Sequence, residues 1–320
     1  MPLEPTFDSI QHAATVLKGV AHVTPVQTSR SLNNELSASL FFKCENFQRV
    51  GAFKFRGAYS TISQLSEKEK KHGVVTHSSG NHGQAVALAA SMVGIPSWIV
   101  MPENAPEIKK RGVKSFGGTI VECESTQKGR ESMLQDVAEK TGAHYVPPYD
   151  DARVISGQGT CALEFLKQVG KLDIMMAPVG GGGLLSGTAI AVKHERPECL
   201  VIGAEPQLAD DAFRSFHSGY LQSLNPAVTI ADGLRASLGK LPFQIFNTYV
   251  DDILIVSEVA IIQAMRLLWE RLKIIIEPSC AVPVAACLEY PERFKGKEVG
   301  IILTGGNVDL DHLPWNKTPH

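Results

Sequence analysis

Along this chain, short apolar stretches of strand length alternate with amphipathic stretches of helical length, and few folds accept that alternation. Val74-Val75-Thr76 leads to a helix from about His82, Ser97 to Met101 to a helix after Pro106, and Thr119 to Cys123 to a helix around Arg130 to Glu139. A second series places strands at Ile174 to Val179, Leu200 to Ala204, Ile253 to Val256 and Val299 to Leu303. Strands that return to a sheet in parallel need a crossover, and a helix laid on the sheet is the compact one. The expected class is therefore α/β, with two three-layer units built on parallel-type sheets. Pro147-Pro148 and the turn-rich Tyr149-Asp150-Asp151 break the rhythm between the two series. The reading that follows is a small domain, residues 48–147, inserted in a large one made of 1–47 and 148–320.

Composition limits what such a chain can meet. Its 320 residues, 44% hydrophobic and 20% charged, suffice for two packed cores. A net charge of -2 leaves no basic footprint for nucleic acid or for an acidic membrane. Met1-Pro2-Leu3-Glu4 lacks the basic and apolar regions of a signal peptide, and Glu or Lys interrupts each apolar run before bilayer length. The expectation is a cytoplasmic protein whose partners are small molecules or another copy of itself. Cysteines at 44, 123, 161, 199, 280 and 287 form no Cys-x-x-Cys pair, so buried thiols are expected rather than a zinc site or a disulfide framework.

Two strand-to-helix turns, a third turn at the end of a late strand and one lysine carry the chemistry. Gly180-Gly181-Gly182-Gly183 joins the strand ending at Val179 to a helix opening at Leu184. Four glycines let backbone amides turn inward together, and with the helix dipole behind them they form a nest for a phosphate without any lysine. The loop lacks the Gly-Lys-Ser/Thr of a nucleotide P-loop and the Gly-x-Gly-x-x-Gly of a dinucleotide site. Ser78-Ser79-Gly80-Asn81-His82 follows a strand with hydroxyl, amide and backbone donors suited to a carboxylate, although the same residues also make a plain helix cap. Thr304-Gly305-Gly306-Asn307 ends the last strand, with a hydroxyl able to meet a ring nitrogen. Lys54 stands between Phe53 and Phe55. An amine set against apolar rings is harder to charge, so more of it is the free nucleophile that joins an aldehyde as a Schiff base, the chemistry of pyridoxal phosphate.

Taken together, these motifs resemble the fold type II pyridoxal-phosphate enzymes, the tryptophan-synthase β-like family. Phe42-Lys43-Cys44-Glu45-Asn46-Phe47-Gln48, Thr76 to Gly83, Gly157-Gln158-Gly159-Thr160 and Thr304 to Asp309 look like its serine racemase, serine/threonine dehydratase and threo-3-hydroxyaspartate dehydratase branch. The resemblance covers almost the whole chain and implies pyridoxal phosphate in the cleft between the domains. By it, Lys54 is the Schiff-base lysine and Phe53 packs on the cofactor ring. Gly180, Gly181, Gly182, Gly183 and the amide of Leu184 hold the phosphate, Asn81 meets the phenolic oxygen and Thr304 the pyridine nitrogen. Threonine at 304 departs from the family's serine but keeps the hydroxyl. Ser79 corresponds to the base on the face opposite Lys54, as in serine racemases. Ser78, Ser79, Asn81 and His82 surround the substrate carboxylate, and Arg130 faces a polar or acidic side group.

The resemblance also marks Glu205, the backbone oxygen of Ala209 and Asp211 as a site for Mg2+, or for Ca2+ or Mn2+; a solvated acidic loop capping the next helix is the other reading of the same residues. It implies a homodimer, with ATP as an activator near Arg49, Lys109 and Phe116. The activity expected is that of a serine racemase and dehydratase (ammonia-lyase) on small β-hydroxy amino acids, giving the opposite enantiomer or a keto acid plus ammonia. The alternative within the branch is chiefly L-threo-3-hydroxyaspartate or L-threonine dehydration. Outside it stand β-replacement, as in cysteine synthases, and a non-catalytic binding protein.

Overall fold

A computed structural model describes residues 4–78, 80–105, 107–224 and 229–316. From the amino end, α1 (Phe7–Leu17), β1 (Val26–Gln27), α2 (Arg30–Leu36) and β2 (Ser39–Cys44) are followed by α3 (Lys54–Ser63) and the short α4 (Glu67–Lys70). Then come β3 (Val74–His77), α5 (Asn81–Val93), β4 (Ser97–Pro102), α6 (Glu107–Ser115), β5 (Thr119–Cys123), α7 (Gln127–Thr141) and β6 (His144–Tyr145). The second series has α8 (Ala152–Gln168), β7 (Ile174–Pro178), α9 (Gly183–Glu195), β8 (Leu200–Pro206), α10 (Asp211–Ser218), α11 (Lys240–Tyr249), β9 (Asp252–Val256), α12 (Glu258–Leu272), α13 (Pro278–Glu289), α14 (Pro291–Phe294) and β10 (Glu298–Leu303).

These strands make two sheets. One has six strands in the order β1-β2-β10-β7-β8-β9, and the other four in the order β5-β4-β3-β6. Every pairing is parallel except β1 with β2. Strand β7, Ile-Met-Met-Ala-Pro, is buried at all five positions, as a strand covered on both faces must be. Two clusters cover the six-stranded sheet, one drawn from α2, α12 and α13, the other from α1, α8, α9 and α11. The four-stranded sheet packs α5 on one face and α7 on the other. The α/β class with parallel sheets is thus as expected; the short β6, the two-residue β1 and helix α1 were not anticipated.

Local sequence explains the helix ends. Asp151 caps α8 by accepting from the amides of Arg153 and Val154, and Thr6 and Ser66 form reciprocal capping boxes on α1 and α4. The helices nearest the cleft cross on glycines. A Cβ on Gly157 would stand 2.6 Å from the Gly57 Cα, and one on Gly187 only 2.5 Å from the Gly159 nitrogen, so α3, α8 and α9 stack at backbone contact. All six cysteines are free and buried, and burial raises their thiols. No helix among the described residues is long and apolar enough to cross a membrane.

Candidate active site

The carboxyl ends of β2, β10 and β7 in one sheet and of β3 in the other carry the chemistry-bearing turns, the usual position for ligands in open parallel sheets. Lys54 opens α3 after a turn in which Val50 (φ 57°) and Gly51 (φ 66°) are both left-handed. A β-branched residue rarely adopts that conformation, so surrounding contacts must hold it. They are visible: Asn307 Nδ2 donates to the Val50 carbonyl at 2.7 Å, the Gly306 amide to Gly51 at 2.9 Å and the Phe53 amide to Thr304 at 3.0 Å. The Thr304 to Asn307 turn is therefore sewn to the turn that delivers the lysine.

The Lys54 amine donates to the Pro148 carbonyl at 2.7 Å and lies 5.2 Å from the Phe53 ring. Burial lowers it from 10.5 to about 8, with the Glu277 carboxylate acting in the opposite sense. Phe55 is not the second wall the sequence suggested: its buried ring packs against Tyr59 and the core of the four-stranded unit. Neighbours on a helix point about 100° apart, so residues either side of Lys54 cannot both face it.

The glycine loop is built for an anion. Among the described residues, no protein acceptor takes the amides of Gly180, Gly181, Gly182, Gly183 or Leu184, although all five residues are buried. Gly182 is left-handed (φ 89°), and a Cβ on Gly181 would meet the Tyr149 ring at 2.2 Å. Pro148 touches the lysine amine and the next residue, Tyr149, packs on the loop, so two consecutive residues bridge the two halves of the site.

At the start of α5, the Ser78 hydroxyl accepts from the Gly80 amide, while the amides of Asn81 and His82 have no acceptor among the described residues. Asn81 donates to Glu277 at 2.8 Å and accepts from Asn307 at 2.9 Å. Glu277 also takes the Asn307 amide, and burial pushes its carboxyl up to about 8. Thr304 is buried on the same wall. Ser79 lies outside the described residues. Arg130 stands near the start of α7, where its charge lowers His77, with a buried Nε that has no partner among the described residues. Three other histidines make packing and polar contacts: His77 meets the Tyr145 hydroxyl, His144 bridges Glu69 and Arg153, and His194 stacks on Phe7.

The acidic segment is buried rather than solvated. Glu205 is fully buried and accepts the amides of Ala212 and Phe213, and Asp211 accepts that of Leu238. Burial raises both carboxyls, the Asp211 charge adds to the rise at Glu205 and that of Asp210 to the rise at Asp211, and one Asp211 oxygen has no partner among the described residues. No cluster of three or more His, Cys, Asp or Glu side chains suited to a metal occurs among the described residues. Ala209 is buried as are the two acids, and carboxyl and backbone carbonyl oxygens are the kinds of ligand that hard cations take.

Several contributors were not assigned from sequence. Pro148 read only as a domain break, and Asn307 only as part of a motif, because a backbone carbonyl and an amide clamp have no linear signature. Around Glu277, the Pro278 that follows marks a helix start, and nothing local points to its two asparagine partners.

The residues present fit pyridoxal phosphate: five free amides for the phosphate, a softened amine for the aldehyde and polar groups around the ring. Comparison with known proteins agrees. Residues 17–305 match the family model described as "Pyridoxal-phosphate dependent enzyme". The chain is 48% identical over 312 residues to a beta-hydroxyaspartate dehydratase of Paracoccus denitrificans, covering 98% of this chain and 99% of that one. It is 44% identical over 308 residues to a serine racemase of Schizosaccharomyces pombe, covering 96% and 95%. The solved maize serine racemase superposes with a TM-score of 0.95 at 44% identity, covering 98% of this chain and 97% of the other.

Proposed function

The chain belongs to the pyridoxal-phosphate-dependent enzyme family, and from that premise we propose that it is a serine racemase and dehydratase (ammonia-lyase) of small β-hydroxy amino acids. The observation that carries this is the bridge of Pro148 and Tyr149, which sets the Lys54 amine and the glycine loop on one cleft. When bound, pyridoxal phosphate supplies an electron-withdrawing ring that acidifies the α C–H of an attached amino acid. The protein's share is to hold and move protons. The free amides opening α5, with Ser78 and Asn81, take the α-carboxylate and so fix which bond faces Lys54. Lys54 Nζ takes or returns the α proton on one face and the Ser79 hydroxyl on the other. Return from the opposite face gives the mirror amino acid; loss of the β-hydroxyl as water, followed by hydrolysis, gives a keto acid and ammonia. Thr304 would meet the ring nitrogen as a neutral hydroxyl partner, one that does not force its protonation as a carboxylate would.

A second reading, dehydration chiefly of L-threo-3-hydroxyaspartate, is favoured by Arg130, whose unpartnered Nε suits a second substrate carboxylate. One assay orders the two. Purified enzyme given separately L-serine, D-serine, L-threonine and L-threo-3-hydroxyaspartate should form keto acid and, from serine, the other enantiomer. Ser79→Ala should lose at least about 100-fold in inversion while retaining dehydration of the L isomer. No keto acid from any of the four would sink the reading.

The domain division is 1–47 with 148–320 against 48–147, the small unit carrying the four-stranded sheet. Mg2+, Ca2+ or Mn2+ on Glu205, Ala209 and Asp211 would relieve the repulsion between two buried carboxylates and order the segment before α10. At 100 times its dissociation constant the cation should stabilise the fold by about 2.7 kcal/mol. Thermal unfolding with Mg2+ and with chelator reads this directly, and Asp211→Asn should remove the difference. Repeating the activity assay with Mg-ATP tests nucleotide activation at Arg49, Lys109 and Phe116; a flat response excludes it. A homodimer is supported by exposed Val23, Phe47 and Ile275, drawn together by the bonds from His22 to Phe47 and from Asn46 to Ile275. Light scattering at twice the chain mass would bear it out. Buried free thiols accord with a reducing cytoplasm.

A further inference from the structure

His82 does something its place in the sequence does not suggest. The side chain is 3% exposed, and its Nε2 lies 3.0 Å from the Val146 carbonyl, which can only accept. Nε2 therefore carries the ring proton, and Nδ1 is a bare acceptor. That Nδ1 is buried and has no partner among the described residues. Leaving a buried acceptor unmet carries its full desolvation penalty, so such an atom is a place where a ligand can complete the bonding. Burial, with the nearby Lys54 charge, holds the ring far below the ordinary histidine value, which keeps Nδ1 unprotonated across the physiological range.

A neutral ring whose open atom is a lone pair repels a carboxylate oxygen. The side chain thus cannot serve the substrate carboxylate, which goes to the free backbone amides of Asn81 and His82 itself. What Nδ1 wants is a donor. A β-hydroxy amino acid brings two, its amine and its hydroxyl. The amine must take the place of the Lys54 amine beside Pro148. The position two residues back along that segment, at Val146, belongs to His82 and lies roughly 6–7 Å away in an extended chain. Thr76 Oγ1 also bonds the Val146 carbonyl, at 2.9 Å, so the ring is anchored to a fixed strand edge rather than to a mobile loop.

We propose that His82 Nδ1 accepts a hydrogen bond from the substrate's β-hydroxyl and makes this site selective for β-hydroxy amino acids. The inference rests on the racemase and dehydratase reading above and assigns the group that recognises the leaving hydroxyl. That bond uses the hydroxyl's proton and leaves its oxygen lone pairs free to take the proton needed when the C–O bond breaks. A site built around a hydroxyl discriminates strongly against analogues without one, because its own acceptor is then stranded.

The test compares L-serine with β-chloro-L-alanine, which carries a leaving group at the same carbon but no hydroxyl proton. His82→Gln keeps an N–H for Val146 and removes the ring acceptor. Its loss in kcat/KM with L-serine should exceed its loss with β-chloro-L-alanine by at least tenfold. A smaller difference, in an enzyme whose wild type turns over L-serine, overturns the His82 assignment alone. A wild type silent on every β-hydroxy amino acid removes the parent reading and this one with it. Independently of turnover, the ring nitrogens in long-range 1H–15N spectra of the whole enzyme, assigned by their disappearance in His82→Gln, should show Nε2 protonated and Nδ1 bare. A protonated Nδ1 overturns the proposal whatever the turnover of the variant.

Discussion

Replacing Lys54 by alanine is expected to lower turnover of every amino-acid substrate by about 10^4-fold or more and to abolish the visible absorbance of covalently held cofactor. The residue is asked to be both the amine that joins the aldehyde and the base on one face of the α carbon, so no neighbour replaces it. Cofactor should still associate, because the glycine loop and its free amides are untouched. The wild type makes a matching prediction about pH. Burial places the amine at about 8, below its ordinary 10.5, and only the neutral amine adds to an aldehyde. Below about 8 the amine is increasingly protonated and loading slows; above it the rate levels. Adding pyridoxal phosphate to cofactor-stripped enzyme and following absorbance between about pH 6 and about 10 measures this. A rate still climbing steeply past about 9.5 would place the amine in water.

The second large effect concerns the support beneath that lysine. Arg56, in the first turn of α3, is 2% exposed and makes paired bonds of 2.7 Å to the two oxygens of Glu45, itself fully buried, with another of 3.1 Å to Glu164. Lys43, also fully buried, bonds Glu164, Gln168 and the Thr24 carbonyl in the same knot. Burial by itself would raise the Glu45 carboxyl, and the charge and bonds of Arg56 override it and hold it below the usual range. Arg56→Met strands that carboxylate in the core and should cost about 3–5 kcal/mol, read from chemical denaturation near neutral pH. The deficit should shrink on acidification, since the stranded Glu45 then takes up a proton, and Glu45→Gln in the same chain should restore much of the loss. An Arg56→Met protein within about 1 kcal/mol of wild type would show that the knot carries no stability.

Much of this was readable in linear sequence because it depends on local conformation. The α/β class follows from strand-length and helix-length runs in alternation, and the glycine loop from four residues whose lack of Cβ is visible in the letters: Gly182 needs a left-handed φ, and Gly181 must admit Tyr149. Lys54 stood out by its apolar neighbours, yet one of them, Phe55, turned away into the core for the simple reason of helical geometry. The Arg56, Glu45 and Lys43 knot stayed hidden, since three charged residues near a strand end read as surface until the packing of α1, α3 and α8 buries them.

By itself, then, the sequence determined which elements form, which turns can hold a phosphate and which amine is placed for an aldehyde, all properties of residues close in the chain. Only the tertiary structure decided that Pro148 and Tyr149 join amine and loop, that Asn307 ties the Val50 turn to Asn81 and Glu277, and that Val146 selects the tautomer of His82. Those pairings link residues far apart in the chain, often through backbone carbonyls that every residue possesses. Their partners are therefore chosen by how the two sheets pack and not by any local pattern.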